Sequence, residues 1–261
     1  MYCNYIMPRT KKTDKSSNRP FILSIEGNIG SGKSTLLRYL SNEAMIKETK
    51  TKWIFLQEPI DDWESIKDKD GTTMLEKFYG NQDRYAFSFQ MMAYISRLAK
   101  IKKAVDENPG AIIITERSLN TDKYVFAKML YDSGKIEEVN YQIYQTWFNT
   151  FVEDYPISGY IYVNTDPKVC CERINKRSRD GEDTIALSYL ESCHDYHVRM
   201  MDAQNEVLTI QGNQEFNDEK DMWSSMIEDW VYGKYMSQQN GTLIREDNIN
   251  PSVWISDIPL V

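Results

Sequence analysis

Histidine is nearly missing from this chain: His194 and His197 are the whole supply among 261 residues. They stand three residues apart with no third ligand evident, so they do not suggest a metal site and read as surface or partly packed side chains. Cysteine is scarce as well. Cys3, Cys170, Cys171 and Cys193 lack metal-ligand spacing and read as free thiols of a reducing compartment. No apolar run is long enough to span a membrane, and no apolar core near the start marks a secretory signal. Positive charge is in deficit: 31 Lys and Arg face 39 Asp and Glu, a net charge of −8. Such a chain lacks the basic footprint of a duplex-binding protein, so no nucleic-acid partner is expected. A local basic patch around phosphates stays compatible with that balance. The rest is ordinary for one sizeable core, with 41% hydrophobic and 27% charged residues.

Against these absences stands one information-rich stretch, Phe21 to Leu40, reading FILSIEGNIGSGKSTLLRYL. An apolar run predicts a buried strand, and the following Gly27-Asn28-Ile29-Gly30-Ser31-Gly32-Lys33-Ser34 fits a G-x4-G-K-S phosphate loop. Thr35 to Leu40 then opens a helix. The order is what the chemistry needs. Glycines let backbone N–H groups turn toward phosphate, and a helix N-terminus adds positive potential. Lys33 can reach the β- and γ-phosphates, and Ser34 can coordinate magnesium. ATP and Mg2+ are therefore the expected cofactors, although the motif alone leaves the acceptor open.

Short buried strands are predicted over Trp53–Leu56, Ala111–Thr115, Gly159–Val163 and Val207–Ile210. Each of the first two ends in polar residues, Gln57-Glu58-Pro59 and Glu116-Arg117-Ser118, at the edge where α/β proteins place ligands. Pro59 keeps Glu58 out of helical geometry, so its carboxylate can orient or deprotonate a hydroxyl acceptor, with Trp63 as a pocket wall. Glu116 can hold magnesium directly or through water, and Arg117 can clamp phosphate or the acceptor. Gln82 to Asn108 reads as a long helix buried on more than one side, on which Gln90, Ala93 and Arg97 share a face. Asp122 is expected to begin a helix, as a surface or near-cap acid or as a pocket residue. Arg173, Arg177 and Arg179 form a charged segment that can close over a triphosphate. The turn from Gly212 to Phe216, with Glu215 and Phe216, is expected to border the ATP base. Tyr189–Met201 and Asp218–Tyr235 are expected helices.

These pieces together resemble the deoxycytidine/deoxyguanosine kinase family of deoxynucleoside kinases over about Phe21 to Tyr235. Glu26 to Thr35 resembles the family's phosphate loop, although Gly30-Ser31 departs from the bulkier or different residues of the mammalian enzymes. Gln57-Glu58-Pro59 with Trp63 resembles the segment carrying the general base. Asp83 to Gln90 resembles the substrate helix, and Glu116-Arg117-Ser118 the family's ERS triplet. The resemblance makes Gln90 a reader of the base edge, Phe89 a stacking surface, and Tyr79 and Glu182 contacts to the 3'-hydroxyl. It places Arg117 by the 5'-hydroxyl, Glu116 at magnesium and the three lid arginines at the phosphates. Ala93, Arg97 and Asp122 match the positions at which family members of different base choice differ, and Phe126 joins the substrate pocket.

The implied fold is α/β, a P-loop kinase with a five-stranded parallel sheet flanked by helices and a short arginine-rich lid. Residues 1–20 are expected as a flexible leader, 21–236 as the kinase domain with its lid at about 173–185, and 237–261 as a C-terminal extension. A homodimer follows from the family. A cytoplasmic location is expected, with a mitochondrial or nuclear address in the basic leader left open. The expected reaction moves the ATP γ-phosphoryl group to the 5'-hydroxyl of deoxyguanosine, deoxyadenosine or deoxycytidine, deoxyguanosine first. Alternatives are a thymidine-preferring kinase, or a thymidylate kinase, whose class usually carries arginine where Gln57 stands. A nucleotide-gated switch without an acceptor pocket is a further, non-enzymatic alternative.

Overall fold

In the computed structural model, which describes residues 20–44, 51–177, 182, 185–214 and 216–239, the chain opens with a fully buried strand, β1 (Phe21–Glu26). The loop that follows leads into α1 (Lys33–Tyr39), which continues as a π-helical turn over Leu40–Ala44. Next come β2 (Trp53–Leu56), α2 (Ile60–Ser65), α3 (Met74–Gly80) and α4 (Gln82–Glu107). β3 (Ile112–Glu116) leads into α5 (Leu119–Thr121), a π-helical stretch over Asp122–Ala127, α6 (Lys128–Asp132) and α7 (Glu138–Phe151). The chain closes with β4 (Gly159–Asn164), α8 (Pro167–Arg177), α9 (Leu187–Asp202), β5 (Val207–Gln211) and α10 (Phe216–Gln239).

The five strands form one sheet in the order β2-β3-β1-β4-β5, and every neighbouring pair is parallel. β1 and β3 are buried at every position because helices cover both faces, which explains their unbroken apolar runs. The edge strands β2 and β5 are less covered. One face packs on α3, α4 and α7 through Ile22, Phe78, Tyr94, Ile113 and Phe148. The other packs on α1 and α10 through Leu23, Leu36, Ile112, Trp223 and Ile227. Register pairs Ile25 with Glu116 and Leu56 with Thr115. The ends of β1, β2 and β3 therefore lie side by side, with Gly27, Glu58 and Arg117 emerging at one edge.

Gln57, Glu58 and Pro59 stay outside helical geometry as expected, and α2 begins only after Pro59, its first turn carrying Asp61 and Asp62. One local reading is corrected. The helical region after β3 begins at Leu119, not Asp122, because the Ser118 side chain caps it by accepting from the Thr121 N–H at 3.3 Å. Asp122 is thereby carried into the helix and buried. The leader 1–19, Arg179, Glu215 and residues 240–261 lie outside the described residues.

Candidate active site

The strand ends open into a cavity of about 750 Å³, within the range of small-molecule sites. One wall is the glycine loop. Gly27 has φ 142°, and a Cβ there would lie 2.6 Å from the Val163 carbonyl oxygen and 2.8 Å from Ser31 Oγ. Gly30 has φ 78°, and its Cβ would lie 2.6 Å from the Cys170 carbonyl oxygen. Both positions need a residue without a side chain. Asn28 and Ser31 are buried behind the lining. Asn28 Nδ2 donates to the Leu190 carbonyl at 2.8 Å, and the Ser31 carbonyl accepts from Thr165 Oγ1 at 3.0 Å and Arg173 Nη1 at 3.3 Å. The loop is thus fastened to the helices around it. Ile29, Gly30, Gly32, Lys33, Ser34 and Thr35 face the cavity.

Lys33 is 4% exposed. Its Nζ donates to the Asn28 carbonyl at 2.6 Å and to Ser31 Oγ at 3.5 Å. Burial, reinforced by Arg117, pulls its pKa down to about 8 against the opposing charges of Glu116 and Glu58. Ser34 Oγ donates to Glu116 Oε1 at 2.6 Å, which brings together one oxygen from the start of α1 and one from the end of β3. Among the described residues no group of three or more His, Cys, Asp or Glu could hold a metal. A hydroxyl and one carboxylate, completed by phosphate oxygens and water, nonetheless suit magnesium.

The other wall is built around Glu58. Arg117 Nη1 donates to its Oε1 at 2.7 Å and its Oε2 at 2.9 Å, and Arg97 Nη2 donates to Oε1 at 2.8 Å. Burial pushes the Glu58 carboxyl up, but Arg117, Arg97 and Lys33 together outweigh it and hold the pKa at about 2. Arg97 also donates through Nε to Asp122 Oδ2 at 2.9 Å and through Nη1 to the Glu116 carbonyl at 2.7 Å. Two carboxylates share this guanidinium, and Glu58 has a second one besides. Burial therefore prevails at Asp122, raising its pKa to about 6 despite Arg97.

Between the walls lies an aromatic slot. Phe78 stacks on Phe89 at 4.4 Å between centroids, and Trp63 meets Phe89 edge-on at 5.5 Å. Trp63 Nε1 is anchored on Ser96 Oγ at 2.8 Å. Gln90 and Ala93 line the same space from α4, both buried. The Arg117 guanidinium lies 4.9 Å over the Phe126 ring, which also meets His197 edge-on at 6.0 Å. His197 is fully buried rather than partly packed, its Nδ1–H donating to the Cys193 carbonyl at 2.7 Å. Burial keeps it neutral, with a pKa well below the usual range. Arg173 and Arg177 border the cavity from α8, and Arg177 is salt-bridged to Glu182, which lines it too.

The sequence matches the deoxynucleoside kinase family model over residues 23–232. This chain belongs to the deoxynucleoside kinase family. It is accordingly an ATP-dependent phosphotransferase acting on deoxynucleosides. It is 36% identical to a probable deoxycytidine kinase of fowlpox virus over 78% of this chain and 84% of that one. Deoxycytidine kinase 2 of Gallus gallus is 35% identical over 76% and 84% of the two chains. Mitochondrial deoxyguanosine kinase of Xenopus laevis is 33% identical over 71% and 76%.

For a deoxynucleoside kinase the placement of the anticipated residues is informative. Lys33, Glu58, Trp63, Tyr79, Phe89, Gln90, Ala93, Arg97, Glu116, Arg117, Asp122, Phe126, Arg173, Arg177 and Glu182 line one cavity, although they come from seven elements and their connecting segments, whereas Gly27, Asn28 and Ser31 do not face it. Phe216 does not line it. Its ring lies against Tyr39 at 5.5 Å and Trp223 at 5.8 Å, on the α1–α10 side. Leu75, Phe78 and Tyr189 line the cavity without having been anticipated. Phe78 and Leu75 sit beside Tyr79 on α3, and the Thr73–Glu76 capping box that starts this helix is legible as T-x-x-E. Nothing local in the sequence distinguishes Tyr189 from the other aromatic residues of its helix.

Proposed function

We propose that this kinase transfers the ATP γ-phosphoryl group to the 5'-hydroxyl of deoxycytidine, deoxyguanosine or deoxyadenosine in preference to thymidine. The observation that carries this reading is the buried chain of charges Arg117–Glu58–Arg97–Asp122. It joins the end of the cavity beside the phosphate loop to the end where Gln90 and Ala93 meet a ring. Glu58 holds the 5'-hydroxyl and accepts its proton. A carboxylate held at about 2 is a weak base, so orientation comes first and the proton moves late, as suits a loose phosphoryl transition state. Arg117 fixes Glu58 and the 5' end. Lys33, Arg173 and Arg177 stabilise charge on the phosphates. Ser34 and Glu116 would hold magnesium, which would neutralise negative charge on the phosphates during transfer.

Base choice rests on the far end of the same chain. Asp122 and Gln90 offer an acceptor and an amide to a ring edge with an exocyclic amine or ring N–H. A dry pocket left with a polar group unpaired discriminates by about 1–3 kcal/mol. The names of the relatives favour cytosine and guanine. Competition among the four deoxynucleosides tests the reading: kcat/KM for thymidine should be the lowest by about tenfold or more. Replacing Arg97 by methionine and Asp122 by alanine should narrow that gap while lowering turnover with every nucleoside, since Arg97 also holds Glu58. Preference for thymidine by the unmodified enzyme would overturn it.

We also propose a homodimer. Val139, Ile143 and Trp147 recur every fourth residue on α7 and are 62%, 42% and 49% exposed, with Ile95 of α4 52% exposed beside them. An uncharged stripe of this kind spans two adjacent helices, tied by the Tyr94 hydroxyl donating to the Trp147 carbonyl at 3.1 Å. A second copy covering it buries the exposed aromatic and aliphatic groups. Sedimentation should give a dimer for the unmodified chain and a monomer for Ile143→Glu combined with Trp147→Glu. A monomeric unmodified chain at micromolar concentration removes this assignment. The free thiols Cys170, Cys171 and Cys193 suit a cytoplasmic site of action. No described helix is long and apolar enough to cross a membrane.

A further inference from the structure

The last residue of β1, Glu26, is fully buried and takes part in none of the ion pairs among the described residues. Its carboxyl group instead collects hydroxyls from three places. Ser24 Oγ donates to Oε1 at 2.6 Å, Ser118 Oγ donates to the same oxygen at 2.7 Å, and Thr121 Oγ1 donates to Oε2. The backbone repeats the connection, because the Arg117 N–H donates to the Ile25 carbonyl at 3.0 Å. Arg117 itself has φ 62°, the one non-glycine residue described with positive φ, a conformation that neighbouring contacts must hold in place. Glu26 thus touches the residue after Arg117, the residue before Asp122, and through the chain the first glycine of the phosphate loop.

We propose that Glu26 is a positioning residue that sets the acceptor side of the site against the donor side. Resting on the roles proposed above for Arg117 and the loop, this assigns to one carboxyl group the register between the Glu58–Arg117 clamp and the phosphate loop. Neither substrate touches it. Its effect reaches the chemistry through Ser118 and Thr121, which hold the turn bearing Arg117, and through Gly27, at which the loop begins. In-line transfer depends on the distance and angle between acceptor oxygen and γ-phosphorus, so a small change in that register acts on turnover rather than on binding. Hydroxyl groups serve this purpose because they hold the carboxyl group from three sides without adding charge of their own.

The test compares Glu26→Gln with Ser118→Ala and Thr121→Val. All four proteins, unmodified included, are assayed for kcat, for KM of ATP and deoxycytidine, and for thermal unfolding. Lys33→Ala serves as the control for the underlying reading. The expected result is a fall in kcat of about 10- to 100-fold for Glu26→Gln. Ser118→Ala and Thr121→Val should show smaller falls in the same direction. Both KM values should stay within about twofold, and kcat should not track the fraction folded. If Glu26→Gln does not fold, the two hydroxyl variants carry the same comparison. Folded variants with unchanged kcat and only a lower unfolding temperature would overturn the assignment, as would losses confined to KM. An inactive Lys33→Ala with unaffected Glu26, Ser118 and Thr121 variants refutes this inference alone. An active Lys33→Ala refutes the donor-site reading beneath it.

Discussion

Replacing Lys33 by alanine is expected to lower phosphoryl transfer by about 10²- to 10³-fold or more, with the sheet and its helices intact. The amine is buried and sits on the loop's own Asn28 carbonyl at 2.6 Å, a contact it can exchange for a phosphate oxygen. Its loss removes a positive charge from a buried site, where charges are screened less than in water. A pH experiment reads the same group in the unmodified protein. Because burial has lowered the Lys33 pKa to about 8, the ammonium is present below that pH and lost as pH rises through it. The kcat/KM for ATP should therefore decline above pH 8. The decline in kcat should lie at higher pH, since bound phosphate favours the charged amine. Near-normal turnover by a folded Lys33→Ala protein would sink the assignment of the donor site.

Glu58→Gln is expected to lose about 10²- to 10⁴-fold in turnover, the usual weight of a positioned proton acceptor. Here the structure adds a second effect. Glutamine keeps one oxygen for the Arg97 and Arg117 donors, but its amide nitrogen replaces Oε2 and faces Arg117 Nη1 as donor against donor. Of the two buried guanidinium groups, Arg97 then keeps Asp122 and Arg117 keeps only the more distant charge of Glu116. Removing one partner from such a network costs about 3–5 kcal/mol. Linkage gives a consistent figure. The folded pKa of Glu58, about 2, lies below its unfolded value, so its contribution is fully present above the ordinary carboxylate range and is lost as pH falls through about 2. The difference corresponds to about 3 kcal/mol at neutral pH. Denaturant unfolding at pH 7 and pH 3 should show the unmodified protein losing more stability on acidification than Glu58→Gln. A variant with normal turnover, or with an unchanged acid dependence, would place the proton acceptor or the charge network elsewhere.

The local pieces were legible because each depends on contiguous residues. A strand, six residues of glycine-rich turn and a lysine at the helix start are one physical unit, and G-x4-G-K-S spells it out. Polar triplets directly after apolar runs marked the rim, because a parallel sheet buried on both faces leaves only its ends for chemistry. Gln90, Ala93 and Arg97 could be placed on one face from spacing alone. Misreadings came where a neighbour in space intervened. Phe216 is expected with the Gly212–Phe216 turn at the ATP base, yet its ring packs on Tyr39 of α1 and Trp223 of α10, contacts that no local pattern announces. His197 reads as a surface or partly packed residue, whereas the packing of α9 buries it completely against Phe126.

By itself, the sequence determined the parallel α/β plan, the phosphate loop and the three strand-end positions that supply Lys33, Glu58 and Arg117. Only the tertiary structure decided which charges meet. Glu58 and Arg97 are 39 positions apart, and Glu26 and Thr121 are 95 apart. Sequence patterns report periodicities of two and 3.6 residues and the chemistry of turns. They carry no record of which strand ends the sheet order sets side by side. The sharing of one guanidinium by two carboxylates, and the pKa values of about 2 and about 6 that follow, arise from distances of about 3 Å fixed by strand register and helix packing.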